Sequence, residues 1–137
     1  MNHSLETGDH STVSRTVATS DLASALSDEH RDQFPDVFAT ARMVAFMELA
    51  AAQVLKPLLA QGELSVGVTV DVTHSAATAL GDTVRATATY IGREGKLYIF
   101  EVTAEDSTGE IGRGTHRRAI ISTSRLLEGA QRRRNRT

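Results

Sequence analysis

The sequence predicts an α+β domain in which an antiparallel five-stranded sheet wraps around one long central helix. Three observations carry this. Residues 39–56 are strong helix formers with no interior glycine or proline. The half of the chain that follows falls into segments where apolar and polar residues alternate, the two-residue period of a half-buried strand. Short glycine-bearing turns separate those segments, so neighbours run antiparallel and one apolar sheet face is left for the helix to cover. At 137 residues the chain makes one domain with a sizeable core, not two.

Residues 1–13 are short of apolar side chains and are expected to form a disordered N-terminal segment, followed by the folded domain over 14–124 and a basic tail over 125–137. A first strand is expected near Arg15 to Thr19, then a loop through Arg31 to Pro35. The long helix stops at Pro57 and Gly62, since proline lacks an amide and glycine accepts the left-handed turn. Next, Val66, Val68, Val70, Val72 and His74 alternate with Gly67, Thr69, Asp71 and Thr73, so one face should be an unbroken row of valines ending in histidine. After the turn at Gly81-Asp82, Val84, Ala86, Ala88 and Tyr90 share a face. Gly92 to Gly95 makes a hairpin into Leu97 to Asp106, where Tyr98, Phe100, Val102 and Ala104 align. Ser107 to Gly109 turns into a last strand, Ile111 to Ser122. The run Gln131 to Thr137 reads as a solvated, frayed end.

Composition removes several function classes. A net charge of −2 gives no reason to expect nucleic acid or an anionic surface as a partner. With no cysteine there is no disulfide, thiolate nucleophile, zinc ribbon or iron–sulfur ligation. The polar N-terminus lacks the apolar centre of a signal peptide, and Arg42, Glu48 and Lys56 interrupt the longest apolar run, so a cytoplasmic protein without a membrane span is expected. No Gly-x-Ser-x-Gly elbow, His-Glu-x-x-His metal motif or phosphate-binding glycine loop is present, and no metal or separate cofactor is expected.

One residue does not fit the helix it occupies. At about 100° per residue, Arg42, Gln53 and Lys56 fall within an arc of roughly 60°, a narrow solvent stripe. Glu48 projects away from that stripe among Ala41, Val44, Ala51, Ala52 and Leu55. A carboxylate on the buried side of a helix is costly unless it is partnered or used. His74, at the end of the valine row, should point toward the helix as Glu48 points toward the sheet. Thr40 begins the helix, where a hydroxyl either caps the first turn or meets a developing oxyanion beside the free amides. In the last strand, Gly112-Arg113-Gly114-Thr115-His116-Arg117-Arg118 holds two glycines, the sign of a bulge or of a close approach.

Strand, long helix and four antiparallel strands resemble the hot-dog fold. Three blocks make the resemblance specific: Phe34-Pro35-Asp36-Val37-Phe38-Ala39-Thr40 running into Met43-Val44 and Met47-Glu48; Val72-Thr73-His74-Ser75-Ala76-Ala77-Thr78; and Glu110-Ile111-Gly112-Arg113-Gly114-Thr115-His116-Arg117-Arg118-Ala119. Together they resemble the fluoroacetyl-CoA thioesterase and its relatives over roughly residues 32–122. The resemblance implies catalytic roles for Thr40, Glu48 and His74, contact of Gly67 with the substrate near the thioester, a gating role for Phe34 and ligand binding by Arg118. It further implies an acyl-CoA substrate, with coenzyme A as part of that substrate, and a homodimer with pockets at the subunit boundary, where Arg117 or Arg118 lies near the CoA phosphates. Arg31 replaces a second lid phenylalanine and Leu49 a tryptophan of the fluoroacetyl enzyme. A polar Arg31 argues against the dry aromatic lid that discriminates fluorine, while leaving thioester hydrolysis untouched. Two other functions fit the same fold: a non-catalytic acyl-CoA or acyl-carrier binding protein, and an enoyl-CoA hydratase.

Overall fold

A computed structural model describes residues 4–136. In chain order the elements are β1 (His10–Thr16), α1 (Thr40–Leu55), β2 (Glu63–His74), β3 (Thr83–Glu94), β4 (Leu97–Asp106), β5 (Gly109–Ser122) and α2 (Thr123–Arg134), with short 3-10 turns before and after α1. The strands form one antiparallel sheet in the order β1-β3-β4-β5-β2, so β1 and β2 are its edges. Helix α1 buries Met43, Phe46, Met47, Ala50, Ala51, Val54 and Leu55, a stripe spaced three and four residues apart that faces the sheet. It packs chiefly on β1 and β3, and the inward residues of β3 include Ala86 and Ala88, both fully buried. Small side chains there let the helix approach closely, while Phe100 and Val102 of β4 fill the remaining volume. The aligned faces expected on β3 and β4 are the ones that meet the helix.

The structure differs from the sequence expectations at three places. Residues 10–13 belong to β1, paired from His10↔Thr89 onward, rather than to a disordered segment, and β1 lies upstream of the strand expected near Arg15 to Thr19. Only Val13 of β1 is buried. An edge strand of serine and threonine draws its stability from ladder hydrogen bonds rather than from an apolar stripe. Residues 1–3 of the expected N-terminal segment lie outside the described residues. At the other end, the basic tail forms α2 over Thr123–Arg134, capped by the Ser122 hydroxyl accepting from the Arg125 amide. It buries none of its residues, and Thr137 lies outside the described residues.

The third difference concerns β2. The expected valine row is broken, because the register with β5 shifts between Gly67 and Thr69 and leaves Val68 without a partner. Residues paired across an antiparallel ladder share a face. Gly67, Val70 and His74 pair with Arg118, His116 and Gly112 and therefore point inward, whereas Val66 pairs with Ala119 and points outward. The bulge has moved Val66 to the other side of the sheet. Among the described residues no helix is long and apolar enough to cross a membrane.

Candidate active site

Helix α1 begins where it does because the preceding chain is held from both sides. Phe38 donates its amide to the Thr78 carbonyl at 2.9 Å, and Ala39 donates to the Asp21 carbonyl at 2.9 Å. The buried Asp21 carboxylate accepts from the Ala18 amide at 2.9 Å and from Arg42 Nε at 2.9 Å. The cap position is taken by Ala39, without a side-chain hydrogen bond. Thr40 is therefore no N-cap. Its hydroxyl instead lies 2.8 Å from His74 Nδ1, at the last residue of β2.

The His74 ring packs edge-on to Phe38, with centroids 6.3 Å apart. Its Nε2 is buried with no hydrogen-bond partner among the described residues. Burial lowers its pKa below the ordinary 6.5, opposed in part by a backbone contact to Ala76. The imidazole is thus neutral at physiological pH, as a proton acceptor must be. Thr40 and His74 open into a cleft of about 400 Å³ that is also lined by Ala23, Pro35, Phe38 and Ala76. Because Ala39 and Thr40 are part of the lining, the positive end of the α1 dipole meets whatever enters. The expected gate, Phe34, is 49% exposed and does not line the cleft in the single chain; its neighbour Pro35 does.

Glu48 lies elsewhere. Its carboxylate accepts from Arg118 Nη1 at 3.2 Å and leaves its side chain 40% exposed. The expectation of a buried acid meeting the His74 imidazole is corrected on both counts. Thr40 and Glu48 are eight residues apart on one helix, about 12 Å of rise, so one chain does not bring them onto the same atom. The carboxylate sits instead over Gly67, where any Cβ would collide with Glu48 Oε1 and lie 3.1 Å from His116 Cε1. Glycine is required here by a side chain, not by a turn. Gly112 serves a similar purpose: a Cβ would fall 2.6 Å from Met43 Sδ on α1.

Arg118 is nearly inaccessible and is engaged inside the fold. Its Nε donates to Ser65 Oγ at 3.0 Å and its Nη2 to the Ser65 carbonyl at 2.9 Å. It does not reach out toward phosphates in the single chain, because its donors are committed to Ser65, Glu48 and His116. Arg117, the alternative contact, points to the other face, paired with Thr69, and its Nε is buried and unpartnered among the described residues. The structure thus assembles two clusters from five of the six residues singled out in sequence, Thr40 with His74 and Glu48 with Gly67 and Arg118, and leaves Phe34 outside both. Asp21, Ser65 and Thr78, which hold these clusters in place, carried no distinguishing pattern in the sequence.

A curled antiparallel sheet wrapped on one long helix defines a protein of the hot-dog class. The chain belongs to the family described as fluoroacetyl-CoA-specific thioesterase, whose profile matches residues 9–124. It is 47% identical over 89 residues to the fluoroacetyl-CoA thioesterase of Streptantibioticus cattleyicolor, a stretch covering 65% of this chain but only 64% of that protein. A solved structure of the fluoroacetyl-CoA thioesterase FlK, a threonine-to-serine mutant in complex with acetyl-CoA, superposes with a TM-score of 0.88 at 35% identity, covering 93% of this chain and 98% of that one. A thioesterase superfamily member from Thermus thermophilus superposes with a TM-score of 0.84 at 26% identity, covering 96% of this chain and 94% of that one.

Proposed function

We propose that the protein hydrolyses a short or small acyl-CoA thioester to the free acid and coenzyme A. The observation that carries this reading is the 2.8 Å contact between the Thr40 hydroxyl and the neutral His74 imidazole at the open start of α1. A thioester carbonyl seated there would turn its oxygen toward the amides of the first helical turn, which stabilise the oxyanion as it forms. Water or the Glu48 carboxylate attacks the carbonyl carbon and the carbon–sulfur bond breaks. Where water attacks, the proton it gives up passes through His74 and Thr40 to the departing thiolate; where Glu48 attacks, the thiolate takes the proton that the hydrolytic water later releases. If Glu48 attacks, the resulting acyl-glutamate is hydrolysed by water in a second step. The residues of the chain and water supply the whole sequence of steps. The acetyl-CoA complex of FlK supports a small acyl group. The exposed Arg31 weighs against a dry lid selective for fluorine.

Because Glu48 stands about 12 Å along α1 from Thr40, we infer that it serves the cleft of a second copy. Strand β2 is a sheet edge, and Leu64, Val68 and Val70 on it are between 44% and 51% exposed. An edge of this kind invites pairing with another strand. Two copies joined antiparallel through β2 would bring the middle of one strand, where Glu48 rests on Gly67, toward the His74 end of the other. Val70→Lys is expected to yield monomers by sedimentation at micromolar concentration and to lose turnover with them. Monomers that keep wild-type turnover would remove the shared site. Since coenzyme A thioesters form a cytoplasmic pool, the same reading assigns the protein to the cytoplasm.

Thiol release from acetyl-, propionyl-, fluoroacetyl- and crotonyl-CoA tests the activity. Release of CoA from at least one saturated substrate is expected. Binding without release from every substrate would leave a non-catalytic acyl-CoA protein, and hydration of crotonyl-CoA without release would make it a hydratase.

A further inference from the structure

His116 belongs to neither cluster's reactive groups, yet it is 1% exposed and both its ring nitrogens are engaged. Nδ1 lies 2.8 Å from the Thr69 carbonyl. A carbonyl only accepts, so Nδ1 carries the ring proton. Nε2 is then a lone pair and accepts from Arg118 Nη1 at 3.1 Å. The same Nη1 donates its other hydrogen to Glu48 Oε1 at 3.2 Å. One guanidinium nitrogen is thus divided between a buried imidazole and the half-exposed carboxylate of the proposed reaction.

The far end of this chain of contacts is equally fixed. Thr69 is the residue at which β2 resumes its register after the bulge, and Arg118 is held on its other side by the Ser65 hydroxyl and carbonyl. Without His116, Arg118 keeps its Ser65 contacts but Nη1 has only Glu48 as a partner, and the emptied space beside it lets the Nη1–Glu48 pair shift within the limits that Ser65 leaves. With His116, the direction of the Nη1 bond is set by the sheet, and Glu48 is aligned to it. Desolvation keeps the His116 ring in its neutral form, which preserves the acceptor that this alignment needs.

We propose that His116 is a positioning residue: it locks Arg118 between the β2 bulge and Ser65 so that Arg118 holds the Glu48 carboxylate in its working orientation over Gly67. The proposal rests on the catalytic reading of Glu48. His116→Gln retains an acceptor for Arg118 and His116→Asn retains a donor for Thr69, so the two variants separate alignment from packing. His116→Asn is expected to lower kcat by about 10- to 100-fold, the cost of misplacing a reacting group by about an ångström, with KM little changed. His116→Gln is expected to recover most of that loss. In a Glu48→Gln background, His116→Asn should cost nothing further, because the group it aligns is already disabled. Asn as active as wild type, Asn more active than Gln, or a loss undiminished in the Glu48→Gln background would each overturn the role of His116. A Glu48→Gln enzyme with wild-type turnover would overturn the reading of Glu48 first, and this proposal with it.

Discussion

Glu48→Gln is expected to reduce CoA release by about two to four orders of magnitude, the contribution of a positioned acid or base, while the protein remains folded. The amide is isosteric and its oxygen still accepts from Arg118 Nη1, so the buried guanidinium is not left without a partner. The half-exposed setting of the carboxylate limits the loss of stability to about 1 kcal/mol. What the amide cannot do is take a proton or attack a carbonyl. Thiol-release kinetics beside a thermal melt separate these effects. A folded variant with undiminished kcat would remove Glu48 from the reaction.

His74→Ala is expected to cause a loss of similar size, about two to four orders of magnitude, and to change the pH profile in a defined direction. Burial lowers the His74 pKa, so in the folded enzyme the neutral ring persists below pH 6.5. The acid limb of wild-type kcat/KM should therefore fall below that value rather than at it, and His74→Ala should lack this limb. The sign for stability follows. The unfolded chain takes up a proton near pH 6.5 that the folded ring accepts only at lower pH, so this histidine's contribution is present above that range and lost as pH falls. His74→Ala should lose less stability on acidification than wild type, which melting curves between pH 5 and 7 would register. An acid limb that survives in His74→Ala would assign it to another group.

Much of the fold was legible because period and burial agree. The stripe from Met43 to Leu55 keeps helical spacing, and β3 and β4 alternate cleanly against it. The same logic misread β2. An inserted residue leaves the string of valines looking regular while turning the chain over between Gly67 and Thr69, and no periodicity count registers that. Strand β1 was misplaced because polar edge residues carry little hydrophobic signal. The candidate site residues were legible individually, since Glu48, His74 and Thr40 each violate or terminate a pattern. Their pairing was not. The Thr40–His74 contact spans 34 residues of sequence and Glu48–Arg118 spans 70, and only the closed sheet decides which acceptor each donor finds.

The supernumerary residue at Val68 has an arithmetic consequence. Gly67 and His74 are an odd number of positions apart, so a regular strand would send them to opposite sides, yet both look inward. The irregularity restores parity. It lets a single ribbon cradle the acid at one place and deliver the imidazole at another, with the same helix reading both. Removing one residue there would forfeit one of the two, whatever its effect on thermal stability, so this short kink shapes the candidate site as much as any side chain in it.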